Sequence, residues 1–284
     1  MKIKHFFDTT TATFTYVVSD DKTLSCAIID PVLDYNMYSG KTSTTSAEKV
    51  IAYIEENKLK VDWILETHAH ADHISGAQFL KAKLGGKVGI GGNIAEVLQY
   101  WVPVFNSATN TPLDGSQFDY LFNDGERFTI GAVEVSVIYT PGHTPACISY
   151  LIEGNIFVGD ALLMPHIGTA RTDFPGGSAE TLYKSIQKIF SLPDETKVYT
   201  CHDYPVAGTN ASSVATIKEH KLNNKMVRVG ISRQAYVEAR TQKDKTMPVP
   251  KLLLPSVQVN IRAGHLNPPE ENKISYIKIP VNQL

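Results

Sequence analysis

Five of the nine histidines in this 284-residue chain lie in three short motifs, and one of these, Thr67-His68-Ala69-His70-Ala71-Asp72-His73, packs four potential metal ligands into six residues. His68 and His70 stand two apart directly after Val61-Asp62-Trp63-Ile64-Leu65-Glu66, which reads as a buried strand, so an extended backbone aims both imidazoles the same way. Asp72 and His73 then open a helical pattern through Ile74, Ala77, Leu80 and Leu84, which sets them at a helix N-terminus beside the same point. One buried histidine is more often a satisfied polar group than a ligand. Four ligands converging from a strand end and a helix start read as a metal centre.

Three later segments each end a strand on a ligand. The apolar run Val133 to Tyr139 leads into Thr140-Pro141-Gly142-His143-Thr144-Pro145, a rigid turn that presents one imidazole. Asn155-Ile156-Phe157-Val158 runs into Gly159-Asp160, where glycine permits close backbone approach and the carboxylate can bind one metal or bridge two. Val198-Tyr199-Thr200-Cys201 leads to His202-Asp203-Tyr204. Cys201 could be reactive beside a metal, although a thiol closing a buried strand is more often plain core.

Positioning these ends requires a framework of sheets. Strands are expected at Lys2 to Phe7, Thr13 to Val18 and Leu24 to Ile29, the last ended by Asp30-Pro31. A helix from about Ser46 to Asn57 follows, with Ser46 as N-cap and Val50, Ile51 and Ile54 on its apolar face. The glycine-rich stretch from Gly85 to Gly92 lacks the spacing of a dinucleotide fingerprint and reads as a short strand between turns. Tyr100, Trp101, Phe105, Phe118, Tyr120 and Phe122 flank a polar loop and suit either a lid, an oligomer contact or packing over the core. The tail carries Pro248, Pro250, Pro255, Pro268, Pro269 and Pro280. The expected division is therefore a catalytic domain over 1–243 and an extended segment, 244–284, packed on that same domain.

Net charge is −2, without a dense basic run, which argues against a nucleic-acid partner. Cys26, Cys147 and Cys201 are odd in number and lack metal-type spacing, which suits a reducing compartment. The N-terminus lacks the apolar stretch of a secretion signal and no run is long enough to span a bilayer, so the expectation is a cytoplasmic protein with no membrane partner.

The ordered motifs His68/His70/Asp72/His73, His143, Asp160 and His202 resemble those of the metallo-β-lactamase superfamily, over residues from about 1 to 225. The resemblance implies an α/β (α+β) fold, a four-layer αββα sandwich with the metal site at one edge of two facing sheets. Within the superfamily, Ala170-Arg171-Thr172-Asp173-Phe174, Glu180-Thr181-Leu182-Tyr183 and His202-Asp203-Tyr204 resemble the persulfide dioxygenases, also called sulfur dioxygenases. The segment near Tyr100 to Phe122 and Val259-Asn260-Ile261-Arg262-Ala263-Gly264 look like the bacterial β-lactamase-like hydrolase subgroup associated with sulfide detoxification. Glyoxalase II is the nearest competitor, but it usually shows Arg-Phe-Phe and His-Glu-Tyr where this chain has Arg-Thr-Asp-Phe and His-Asp-Tyr. A true β-lactamase commonly has Cys or another ligand set in the place of Asp160.

The resemblance implies one Fe(II) held by His68, His143 and Asp160, with His70, Asp72, His73 and His202 around it. Two imidazoles and one carboxylate leave open positions, the arrangement non-haem iron uses with dioxygen. The implied substrates are dioxygen and a small thiol persulfide, such as glutathione persulfide, whose terminal sulfur leaves as sulfite. Arg171 is the candidate for a substrate or supporting charge and Tyr204 for a hydroxyl beside the iron or carrier; Arg171 could equally pair with Asp173. A homodimer is a fair family expectation. The alternative is a two-zinc thioester hydrolase, in which Asp160 bridges both ions and His70, Asp72, His73 and His202 all ligate. A third reading is a metal-stabilised sensor or partner-binding protein without turnover.

Overall fold

In the computed structural model, which describes residues 1–205 and 209–283, side-chain alternation sorts the early strands between two cores. Along Thr13–Ser19, Phe14, Tyr16 and Val18 enter one core and Val17 the other. Along Ser25–Ile29, Ala27 and Ile29 join the first group, and Cys26 and Ile28 the second. These strands belong to a six-stranded sheet ordered Lys2–Asp8, Thr13–Ser19, Ser25–Ile29, Lys60–Leu65, Lys87–Gly91, Tyr120–Phe122. A second six-stranded sheet runs Arg127–Ile130, Val133–Tyr139, Ile148–Ile152, Asn155–Phe157, Lys197–Tyr199, Val214–Thr216.

Between the sheets, Phe14, Tyr16, Phe122, Val135, Tyr150 and Phe157 form the inner core. Outside the first sheet the helices Thr45–Glu56, Ala77–Leu84 and Ile94–Val104 supply Val50, Ile54, Leu80, Trp101 and Val102. Outside the second, Leu182, Ile186 and Ile189 of Ala179–Phe190 and Tyr236 of Arg233–Asp244 pack on Ile156 and Val198. Three cores separate four layers, αββα, the architecture expected from the sequence. No helix among the described residues is long and apolar enough to cross a membrane.

One irregularity sets the phase with which the chain enters the ligand loop. Cys26 pairs with Val61 but Ala27 with Trp63, so Asp62 is an extra residue on its strand. Past this bulge Trp63 and Leu65 pack toward the inner core and Ile64 toward the outer one.

Three local expectations differ from the structure. The helix expected to open at Asp72 begins only at Ala77, because Ile74–Ser75 pairs as a short strand with Val32–Asn36. Gly76 allows that approach, since a Cβ there would stand 2.9 Å from the Val32 carbonyl oxygen. Asp72 and His73 are thus loop residues, not helix-terminal ones. Ser46 is not the N-cap of its helix: Thr44 holds that position without a side-chain cap, and Ser46 instead donates from its N and Oγ to Asp34, at 2.8 and 2.7 Å.

The proline-rich tail is not extended throughout. It holds the buried helix Leu253–Asn260, whose Pro255 lies in the first turn, where no intrahelical N–H partner is lost. Leu253 and Val257 enter the outer core. Of the aromatic segment, Trp101, Phe105, Phe118 and Phe122 are buried, and Tyr100 and Tyr120 are exposed, so packing accounts for most of it.

Candidate metal centre

Each ligand-bearing turn is held by a contact that leaves one lone pair facing a shared point. The Arg171 carbonyl can only accept, so the His143 Nδ1 proton donates to it at 2.7 Å and Nε2 is left as the free nitrogen. Gly142 brings this turn against the helix Ala179–Phe190, where a Cβ would fall 2.3 Å from the Leu182 nitrogen. His202 donates from Nδ1 to the Ala12 carbonyl at 3.1 Å and likewise turns Nε2 inward. Asp160 follows Gly159, whose φ of +52° and contact with Thr67, 2.4 Å from a built Cβ to Oγ1, bring the two sheets' strand ends side by side.

Asp30, read in the sequence only as a strand end, orients two more imidazoles, His68 and His70. It accepts from the Thr67 N and Oγ1 at 2.8 and 2.9 Å and from His70 Nε2 at 2.9 Å. With its proton given to Asp30, the Thr67 hydroxyl accepts from His68 Nδ1 at 3.0 Å. His68 therefore turns Nε2, and His70 turns Nδ1, to the centre. Burial raises the Asp30 carboxyl, but the adjacent His70 and the Thr67 donors outweigh it and hold it below its ordinary value. Burial lowers the His70 imidazole, and Asp30 reverses this to well above ordinary. Burial and the surrounding imidazoles push His68 well down, so it is neutral and ready to ligate.

A second residue missed by sequence reasoning is Asn260, from the tail helix. Its Nδ2 donates to the His70 and His73 carbonyls, both at 2.8 Å, while its Oδ1 accepts from Ser75 N at 2.8 Å. One amide thus pins the whole loop from His70 to Ser75. The residue's signal in the sequence is its place in Val259-Asn260-Ile261-Arg262-Ala263-Gly264, the segment that resembles the bacterial subgroup, without any indication of what its amide would hold.

The fit to a cation can be judged from the spacing. His143 Nε2 and His68 Nε2 lie 3.5 and 4.0 Å from Asp160 Oδ2, and His202 Nε2 lies 3.4 Å from Asp160 Oδ1 and 3.1 Å from Asp72 Oδ2. Two ligands each about 2.1 Å from a tetrahedral ion would themselves be about 3.4 Å apart. His68 Nε2, His70 Nδ1, His73 Nε2, His202 Nε2, Asp72 Oδ2 and Asp160 Oδ1 are all buried and have no hydrogen-bond partner. Buried polar atoms left this way are costly unless a cation answers them, so the residues fit a metal. The ligand atoms fall into a group of His68, His143 and Asp160 and a group of His70, Asp72 and His73; Asp160 and His202 also group with Cys201, and His70 with Asp30 and Glu66.

A cavity of about 690 Å³ opens over His143, Asp160 and His202, walled by Phe174, Met247, Val249 and Leu252. Tyr204 lies at its edge, more than half exposed, with its ring 12° from parallel to His202 at 6.2 Å. The Arg171 guanidinium also lines the cavity, but it pairs with Asp173 through Nε and Nη2 at 2.6 and 2.7 Å and donates to the Pro248 carbonyl at 2.7 Å. Its link to the metal position runs through its backbone carbonyl on His143. Thr172, next to it, donates from N and Oγ1 to the buried Asp244, both at 2.9 Å, which anchors this loop to the helix Arg233–Asp244.

Residues 8–202 match the model of the Metallo-beta-lactamase superfamily. The chain is 51% identical to Glyoxylase B2 of Dictyostelium discoideum, across 100% of this chain and 98% of that protein. It is 45% identical to the Beta-lactamase hydrolase-like protein of Xylella fastidiosa, across 100% of this chain and 65% of the relative. Identity to the mitochondrial Persulfide dioxygenase ETHE1 of Bos taurus is 29%, across 94% of this chain and 90% of the relative. The crystal structure of ETHE1 from Myxococcus xanthus superposes with a TM-score of 0.75 at 31% identity, covering 93% of this chain and 100% of that one.

Proposed function

The chain belongs to the metallo-β-lactamase superfamily, and from that premise we propose that it is a persulfide dioxygenase acting in sulfide detoxification. The reading is carried by one observation: His68, His143 and Asp160 bring two imidazoles and one carboxylate within 4.8 Å of one another beneath an open cavity. That donor set would hold Fe(II), and when bound the ion supplies the activation of dioxygen. The net reaction takes a thiol persulfide, dioxygen and water to the free thiol, sulfite and two protons. The similarity to persulfide dioxygenases supports the same branch.

The chain's own residues do the positioning. Thr67 and the Arg171 carbonyl fix the tautomers of His68 and His143, so each presents an unprotonated nitrogen. Phe174, Met247 and Val249 give the cavity apolar walls that exclude water, and Lys243 and Lys251 line it with positive charge suited to an anionic thiol carrier such as glutathione. Tyr204 flanks the carrier at the edge. The Arg171–Asp173 pair shapes the wall and keeps the carbonyl on His143 in place. The three cysteines are free and buried, which supports the reducing, cytoplasmic setting.

A two-zinc thioester hydrolase is the second reading, favoured by the unpartnered atoms of His70, Asp72, His73 and His202 and by the likeness to Glyoxylase B2. The deciding experiment is oxygen uptake by anaerobically iron-loaded protein on addition of glutathione persulfide. Stoichiometric uptake with sulfite release is expected. No uptake, together with hydrolysis of a glutathione thioester by the zinc-loaded protein, would overturn the dioxygenase in favour of the hydrolase.

A further inference from the structure

Two methionine sulfurs flank one buried guanidinium, and only one of them is open to the cavity. Arg240 is 1% exposed and donates from Nη1 to Met226 Sδ at 3.5 Å and from Nη2 to Met247 Sδ at 3.3 Å. Met226 is 9% exposed and belongs to the core outside the second sheet, whereas Met247 is 38% exposed and lines the cavity over the metal centre. The same guanidinium leads inward to the loop beneath that centre. Its Nη1 donates to the Thr169 carbonyl at 2.9 Å, and its Nη2 to Asp244 Oδ1, while Asp244 Oδ2 accepts from Thr172 N and Oγ1. Thr172 follows Arg171, whose carbonyl fixes the His143 tautomer. Arg240 Nε is buried without a partner, so the guanidinium holds unused donor capacity.

We propose that Met247 is a reversible oxidation site whose sulfoxide weakens metal binding on the His143 side of the centre. The oxidant is a peroxide from solution, which reaches the sulfur through the open cavity. One peroxide oxygen bonds to Sδ as the O–O bond breaks; the thioether loses two electrons, and hydrogen peroxide leaves as water. A thioether is a weak acceptor, whereas the sulfoxide oxygen is a polar one set beside a cation. It draws Nη2 from Asp244, and the carboxylate that anchors Thr172 loses its charge partner in the interior, where an unpaired charge is costly. The loop then shifts the Arg171 carbonyl off His143. Met37, 45% exposed in the same cavity, provides the contrast. Its sulfur accepts no hydrogen bond among the described residues, so its oxidation alters the wall and not the ligand. The inference needs a metal at His143 and holds for iron or zinc alike, so it goes beyond the dioxygenase reading.

The test treats zinc-loaded full-length protein with hydrogen peroxide, since zinc has no redox chemistry of its own. Oxidation is read by peptide mass spectrometry and zinc affinity by chelator competition. One added oxygen is expected on the Met247 peptide before the Met226 peptide. Zinc affinity should then fall by roughly tenfold, the lower end of the loss for an outer partner of a metal ligand. Methionine sulfoxide reductase should restore it, an arm that needs no variant. With each protein compared against its own untreated sample, Met37→Leu should lose as much affinity as wild type and Met247→Leu should lose none. Met247 left reduced while Met37 is oxidised, a Met247 sulfoxide with unchanged zinc affinity, a loss that the reductase does not reverse, or a Met247→Leu protein as sensitive as wild type would each overturn the site. Oxygen uptake is read separately: a protein without it loses only the dioxygenase, and one whose zinc affinity ignores the sulfoxide loses only this inference.

Discussion

The two halves of the metal centre are built in different ways. The triad joins sheets: His68 leaves the first sheet, His143 and Asp160 leave the second, and their meeting depends on how the sheets pack. The other half is largely one loop, His70 to His73, met across the gap by His202. Their charge balance differs as well. Burial lowers His202, but Asp72 overrides it and raises the imidazole well above its ordinary value, as Asp30 does for His70. His68 is held well below by burial and by the imidazoles around it. His70 and His202 can hold protons where a cation would sit, whereas His68, and within the loop His73, are lowered by burial and by neighbouring imidazoles. Proximity of ligands is therefore not equivalence: the imidazoles set against Asp30 and Asp72 have a local substitute for metal charge.

The strongest way to break this comparison is to remove a triad ligand. Asp160→Ala and His143→Ala should abolish iron binding and oxygen uptake, measured by metal analysis and an oxygen electrode; an active, iron-loaded Asp160→Ala protein would sink the triad. Asp30→Asn keeps the shape but removes the charge that orients His70, and it should weaken total metal affinity by roughly 10–100-fold in a chelator competition. An unchanged affinity would mean that the packing alone orients these imidazoles.

Asn260→Ala sharpens the comparison, because its amide touches only the loop half. It leaves two buried carbonyls and one buried N–H without partners, and a cost of about 1–3 kcal/mol for such a group predicts a clear drop in melting temperature. Metal at the His70–His73 side should suffer more than metal at the triad. Lowering the pH should give the same ordering. A raised imidazole stays protonated to higher pH, so as pH falls His202 and His70 should release their ion first and His68 last, which stepwise metal release on acid titration would show. Simultaneous release would overturn the charge argument. The smallest effect is expected from Arg171→Ala, which loses a pair at the cavity wall but keeps the backbone carbonyl on His143: metal content should hold while KM for the persulfide rises a few-fold. Lost iron would show that the side chain is needed to hold that carbonyl in place.

Much of this was legible because it is local. Thr13–Ser19 and Ser25–Ile29 are short runs of β-branched, aromatic and apolar residues, a local signal that survives any packing, and His68 and His70 follow directly on another such run, Lys60–Leu65. The helix expected from Asp72 failed for a reason outside the segment. Ile74, Ala77, Leu80 and Leu84 do carry a helical period, but the strand Val32–Asn36 captures Ile74–Ser75 first. Pro255 marked the tail as extended, although a proline in a first turn is as compatible with a helix.

The amino-acid order alone determined which side chains could ligate and that His68, His70, His143, Asp160 and His202 would follow strand ends, since both follow from residue chemistry and backbone period. The tertiary structure decided which nitrogen of each imidazole faces the centre, through Asp30, Thr67, the Arg171 carbonyl and the Ala12 carbonyl. It also committed Arg171 to Asp173 and brought Asn260 onto a loop some 190 residues earlier in the chain. No spacing rule reaches these pairings, because a hydrogen bond depends on distance in space and the fold alone sets that distance.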